Sequence, residues 1–342
     1  MQTMAMPTTA STMLQGAPWL LAHKSMLKPS HPQKISLLGQ DYVLWQDAEG
    51  QIQALPNACP HMGAMLSAGW CEAGRVVCPF HALAFDRAGC TTLPGSGKQT
   101  QSLLAPLPLV IEGDFIWSYG DATAKIPIPS ILNDIAREYE FIGSVGDVSI
   151  QTDLLTMLLN MHDYNHQNGT HRALFRVEEV HFQRFIDEGL HSHAYYDMPR
   201  SQPTLREILS NPAVLIIPNL IQAHLENFFP CLVIFHGESK IGSVRQIHVF
   251  VPESETHTRT YALVYGKPKH PIFRLVKQNI LALVGTVIEQ DADILAKIYP
   301  NTPRSIRLNN EVGMDWVHRN FASFPETGSP NFSKDYTHAA PN

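Results

Sequence analysis

The chain has little charge and little cysteine for its length. Only 16% of its 342 residues are Asp, Glu, Lys or Arg, against 44% hydrophobic ones. That balance excludes an intrinsically disordered polymer, which carries many charges and few apolar groups. Twenty-five Lys and Arg face 31 Asp and Glu, a formal net charge of −6. No cationic surface for nucleic acid or anionic lipid is expected. Five cysteines are too few, and odd in number, for a disulfide scaffold, and they fit a reducing compartment. The most apolar stretches, residues 214–217 and 280–288, are too short or too interrupted to span a bilayer. Residues 1–16 lack the basic and apolar regions of a secretory signal and read as a flexible arm. Residues 327–342, polar and rich in Pro and Gly, read as a disordered tail. The expectation is a cytoplasmic protein without a membrane span. A G-x-G-x-x-G nucleotide fingerprint and internal repeats are also missing.

The length suffices for two domains. Short strand-like runs fall at 34–38, 42–46, 51–55, 75–78, 84–86, 109–111 and 115–118. Turn signals such as Asp47-Ala48-Glu49-Gly50, Arg87-Ala88-Gly89 and Glu112-Gly113-Asp114 separate them. No helix-period stretch intervenes, so an all-β domain is predicted over 17–122. The Pro-containing segment 125–129 reads as a linker or crossing strand. Residues 150–166 then carry a helical rhythm at Ile150, Leu154, Leu155, Leu158, Leu159 and Met161. Residues 176–264 are mostly strand-like, with runs at 213–217, 231–235 and 247–251, and 271–299 returns to a long helix. An α+β domain over 123–326 follows, a large antiparallel sheet flanked by helices.

Histidine is what abounds, with 17 copies. Their spacing matters more than their number. Cys59-Pro60-His61 is followed, sixteen residues on, by Cys78-Pro79-Phe80-His81. Two mixed Cys–His pairs in loops between strands suit a four-ligand metal site. Zinc would accept this set, as would a [2Fe–2S] cluster with two thiolates on one iron and two imidazoles on the other. Structural zinc sites pair Cys with Cys and His with His instead. The C-x-H and C-x₂-H pattern resembles the Rieske motif. Neither loop holds the extra cysteine of the respiratory branch, so the resemblance is to the oxygenase or ferredoxin branch. That branch carries Gly and Trp after the second His, where this chain has Ala82 and Leu83. The difference bears on packing over the cluster. Cys71, Cys90 and Cys231 read as small, partly buried thiols.

The second concentration runs from Asn160 to His171. Asp163 and His166 lie three apart and share a helix face. His171 is five beyond His166, about 140° round a regular helix. Asn168-Gly169 is a helix stop that can swing it back. This N-x₂-D-x₂-H-x₄-H segment resembles the mononuclear-iron motif of Rieske non-haem iron oxygenases. Such an iron takes two His and one carboxylate. On the helix after Val276, residues Ile280, Val284, Val287, Ile288, Ile294, Leu295 and Ile298 form an apolar stripe with Asp291 in its middle. Glu289 and Asp293 point away from it. A carboxylate on a buried face needs a partner or a metal. The surrounding Val287-Ile288-Glu289-Gln290-Asp291 also resembles the family's ligand-bearing stretch, so Asp291 is assigned as third ligand. The pair His191 and His193 shares one strand face and can line a pocket. His181, His224, His236 and His248 read as structural, hydrogen-bonded histidines, and His162 points away from the site.

The resemblance covers about residues 17–325 and implies the following. Cys59, His61, Cys78 and His81 hold the cluster, which receives single electrons. His166, His171 and Asp291 hold Fe(II), with O₂ as co-substrate. Asp163 bridges an iron-ligand His to a cluster-ligand His of a neighbouring subunit, which requires a head-to-tail homotrimer. Asn160 is a polar residue next to the iron. Electrons come from a separate NAD(P)H-dependent reductase, a ferredoxin, or both. The substrate is a small organic molecule in a largely hydrophobic cavity, hydroxylated or dealkylated. An electron carrier that has lost its catalytic iron is the competing class, against which the intact His166, His171 and Asp291 argue.

Overall fold

The structure, a computed structural model, describes residues 13–324 apart from 48, 216, 300, 301, 303 and 304. The expected arm lies outside the described residues as far as residue 12, and the expected tail lies wholly outside them.

The first nine strands are β1 Trp19–His23, β2 Gln33–Leu37, β3 Gln40–Gln46, β4 Ile52–Pro56, β5 Trp70–Glu72, β6 Arg75–Val77, β7 Ala84–Phe85, β8 Val110–Glu112 and β9 Phe115–Ser118. They form three small antiparallel sheets in the orders β1-β9-β8, β2-β3-β4 and β5-β6-β7. Strand β1 starts upstream of the predicted strand region. Its five residues are all buried, so it shows no alternation to read.

Next come α1 Ile131–Glu138, β10 Glu140–Ile150, α2 Leu154–His162 and α3 Arg172–Phe175. Then follow β11 His181–Glu188, β12 His191–Pro199, α4 Leu205–Ser210, β13 Leu220–Phe228, β14 Leu232–Glu238, β15 Gly242–Ser254 and β16 His257–Pro268. Helices α5 Ile272–Leu275, α6 Lys277–Leu295 and α7 Val312–Ala322 close the described chain. The second sheet has seven antiparallel strands in the order β10-β16-β15-β14-β13-β12-β11. Helix α6 packs on one face through Ile280, Leu281, Val284 and Ile288, against Ala262 and Val264 of β16. Burying each such side chain contributes about 1.5–3 kcal/mol. Tyr261 of β16 donates its hydroxyl to Leu20 O at 2.9 Å, and Arg259 Nη1 donates to Leu21 O at 2.9 Å, tying β1 to this sheet.

Several local expectations change. Residues 150–166 are not one helix. Ile150 ends β10, Asp153 caps α2 by accepting from Thr156 N at 2.9 Å, and Tyr164–Asn168 is a separate 3₁₀ turn. Within the run 213–217, Pro212–Leu215 is 3₁₀ rather than strand, since five apolar residues after a proline carry no period. Ile294 and Ile298, placed in the apolar stripe of α6, are 41% and 49% exposed; the stripe ends at Leu295.

Candidate metal centres and cavity

Two loops of the N-terminal sheets share one backbone plan. In the first, Cys59 N donates to Ala64 O at 2.9 Å and Gly63 N donates to Cys59 O at 2.8 Å. In the second, Cys78 N donates to Leu83 O at 2.9 Å and Ala82 N donates to Cys78 O at 3.1 Å. Each loop thus wraps around its cysteine and presents the following His at its tip. Cys59 and Cys78 are buried in a small core with Val43, Trp45, Leu55, Val76 and Phe85. Both are free thiols. Burial pushes the Cys59 thiol up, so its thiolate needs a cation beside it. His61 and His81 are exposed, and their Nδ1 atoms approach to 3.1 Å. Two buried sulfurs and two converging ring nitrogens fit a cluster with thiolates on one iron and imidazoles on the other.

The second group stands where α2, its 3₁₀ extension and α6 meet. The turn after Gly169 returns the chain, and His171 caps α3 beside His166 with ring centroids 5.0 Å apart. Each ring has its Nδ1 occupied. That of His166 faces the main-chain carbonyl of Asp163, and that of His171 lies 2.8 Å from Gln290 Oε1. The Nε2 atoms are thereby turned toward Asp291, that of His171 unpartnered and that of His166 meeting only the amide of Gln167. They lie 3.9 Å and 3.2 Å from Asp291 Oδ1. The 3.2 Å approach is nevertheless not a hydrogen bond, and the buried His171 Nε2 makes none. Nitrogens and carboxylate are aimed at a shared point rather than at one another, which fits a bound cation. Burial works against ionisation of Asp291, yet His171 and His166 hold its carboxyl below the usual range. Burial likewise lowers the pKa of His166, so the ring is held neutral, as a metal ligand must be. Asn160 Nδ2 donates to Asp291 Oδ1 at 3.2 Å and steadies the carboxylate.

Comparison with known proteins follows the same division. Residues 18–105 match the family described as Rieske [2Fe-2S] domain. Residues 150–318 match the vanillate O-demethylase oxygenase C-terminal domain. The chain belongs to the Rieske non-haem iron oxygenases. Among curated relatives, the dicamba O-demethylase oxygenase component of Stenotrophomonas maltophilia is 33% identical over 144 residues, 40% of this chain and 42% of that one. A 4beta-methylsterol monooxygenase of Methylococcus capsulatus is 30% identical over 151 residues, 41% of this chain and 40% of that one. The chain therefore spans under half the length of these curated relatives. The crystal structure of dicamba monooxygenase bound to dicamba superposes with a TM-score of 0.72 at 20% identity, covering 92% of this chain and 98% of that one. That likeness establishes a shared fold.

In this Rieske non-haem iron oxygenase a cavity of about 490 Å³ opens beside His166, His171 and Asp291. Met161, Phe175, Met198, Leu225, Phe235 and Val287 make its walls apolar, and Gln246 and His248 add polar groups. Burial lowers the pKa of His248 to about 4, so the ring is neutral at pH 7. The cavity draws on the seven-stranded sheet and on α6.

The contact expected between Asp163 and His166 is present, through a different atom. The Asp163 main-chain carbonyl, not its carboxylate, meets His166, while the carboxylate accepts from Asn165 N at 3.0 Å. Gln290, Gln167 and His248 were not singled out as site residues. Gln167 Nε2 lies 3.1 Å from His166 Nε2. Gln290 adjoins Asp291 in sequence, and that adjacency was the one available signal. His162 is buried beside Trp316 and bonds Leu158 O, away from the site as expected. Among the described residues no helix is long and apolar enough to cross a membrane.

Proposed function

We propose that this chain is a terminal oxygenase, one that takes electrons through Cys59, His61, Cys78 and His81 and uses them at His166, His171 and Asp291. The observation that carries the reading is the two-His, one-carboxylate group set into the wall of a mostly apolar cavity. Bound there, ferrous iron supplies O₂ activation, and the [2Fe–2S] cluster supplies the single electrons it requires. The protein's own part is positional. Asp163 O and Gln290 fix the imidazole tautomers, Asn160 orients Asp291, and the apolar walls keep bulk water from the substrate.

The cavity suits one small, largely apolar organic molecule, with Gln246 and His248 available to fix its orientation. Monooxygenation is favoured: hydroxylation, or oxidative removal of a methyl group as in the names of the curated relatives. Electrons enter from a separate reductase or ferredoxin, since this chain carries no dinucleotide fingerprint. The cluster tip is flanked by exposed Met62, Met65 and Phe80, which supports docking of that tip against a neighbouring copy in a homotrimer.

The loaded enzyme should hold about three irons per chain, two in the cluster and one beyond it. Asp291→Ala should lose the single iron and keep the absorption of the cluster. Unchanged iron in that variant would move the third ligand elsewhere. Two irons per chain in the native protein would make it an electron carrier.

A further inference from the structure

A second group of imidazoles and carboxylates lies on the sheet face away from the cavity. The alternation of β13 and β14 separates the two faces: Leu225 and Phe235 line the cavity, while their neighbours Glu226 and His236 point the other way. Register pairs Glu188 with His191 across the β11–β12 hairpin, and His193 with Glu226 across β12–β13. His191 Nε2 lies 3.0 Å from Glu226 Oε1, and His236 Nε2 lies 2.9 Å from Glu226 Oε2. Burial opposes ionisation of Glu226, but these two rings hold its carboxyl well below the usual range.

The decisive contact is on the far side of the ring. His191 Nδ1 lies 3.1 Å from Glu188 Oε2. The His191 ring thus stands between two carboxylates, Glu226 at Nε2 and Glu188 at Nδ1, and its Nδ1 and Glu188 Oε2 are spaced as two ligands of one cation would be. Glu188, His191 and His193 each bring one ligand atom, all within 4.8 Å of one another. Two His and one carboxylate, completed by water, is a set zinc accepts, and two ligands of one zinc ion stand about 3.3 Å apart. A carboxylate that takes the far N–H of a ligating His is the usual orienting device.

We propose that Glu188, His191 and His193 form a second divalent transition-metal site of the zinc class, with Glu226 orienting His191. Its place makes it a staple. The hairpin turn it closes is the one onto which α7 docks, through Trp316 Nε1 to Gly189 O at 2.7 Å and Asn320 Nδ2 to the same oxygen at 3.1 Å.

The test uses the full chain with its iron loaded, given one equivalent of zinc chloride and desalted. Mass spectrometry should find close to one zinc per chain with iron unchanged, and the thermal midpoint should rise. Glu188→Gln, at a side chain 54% exposed and outside the core, should retain no zinc and show no such rise. His193→Ala should behave the same way. Asp291→Ala should keep the zinc. Failure of the native chain to retain zinc, equal retention by Glu188→Gln, displacement of iron, or loss of zinc from Asp291→Ala would each overturn the assignment.

Discussion

At the scale of single residues, the backbone at Ala82 bears on the first of the two departures from the resembled motif. The two cluster loops are alike in their hydrogen bonds, and in each the residue four after the cysteine has a left-handed backbone. Gly63 has φ +74°, and Ala82 has φ +55°. Glycine takes that conformation freely, while a Cβ makes it cost about 1–2 kcal/mol. The preference for glycine after the second His is thus a backbone requirement, which Ala82 meets under strain. Ala82→Gly should raise the thermal midpoint of the loaded protein by an amount matching about 1 kcal/mol, with the cluster spectrum unchanged. A lowered midpoint would mean that the Ala82 methyl makes packing contacts worth more than the strain. The convergence of the two Cys–His pairs was legible because both members of each pair sit in one loop. The partners of the imidazoles were not: Gln290 reaches His171 across 119 residues of chain, a distance no local pattern reports.

At the scale of elements, the strand β10 and the helix α6 decide where Asp291 sits. The register of β10 against β16 shifts between Val145 and Val148, and Gly146 lies in that bulge with φ +68°. A Cβ there would lie 2.5 Å from Ile288 Cδ1. Ile288 precedes Asp291 by one helical turn, so the missing side chain is what lets α6 settle onto the sheet. Gly146→Ala combines a strained backbone with overpacking and should cost about 1–3 kcal/mol or more. Its consequence should be local: weaker retention of the single iron, with cluster absorption intact. Equal iron retention and an unshifted midpoint would show that α6 is placed by other contacts. The buried position of Asp291 was readable from the helical period, because α6 is long. Strand β10 was missed because its burial does not alternate, and a bulge with glycine weakens the period-2 signal.

At the scale of the whole molecule, one core runs through both sets of sheets: Trp19, Leu20 and Trp117 belong to the same buried cluster as Val249, Phe250 and Tyr261. Composition and length suggested two domains, and nothing in either announced that their apolar faces would merge. The cluster loops stand away from this shared core, with His61 and His81 exposed at their tip. Where such a tip, ringed by Met62, Met65 and Phe80, docks on another copy as proposed, Asp163 is the residue expected to link the neighbour's cluster to His166. Its carboxylate caps the 3₁₀ turn Tyr164–Asn168 by accepting from Asn165 N, a task asparagine performs equally well. Asp163→Asn therefore keeps the turn and the main-chain carbonyl on His166 while removing the charge. The variant should keep the oligomeric state of the native chain, retain about three irons per chain, and lose about 10–100-fold or more in reductase-driven turnover. Oxidation of the pre-reduced cluster by O₂ in the presence of substrate should slow by the same factor, because the lost step lies between the two metal centres. Normal turnover with both centres loaded would remove Asp163 from the path, and a monomeric native protein would remove the path itself.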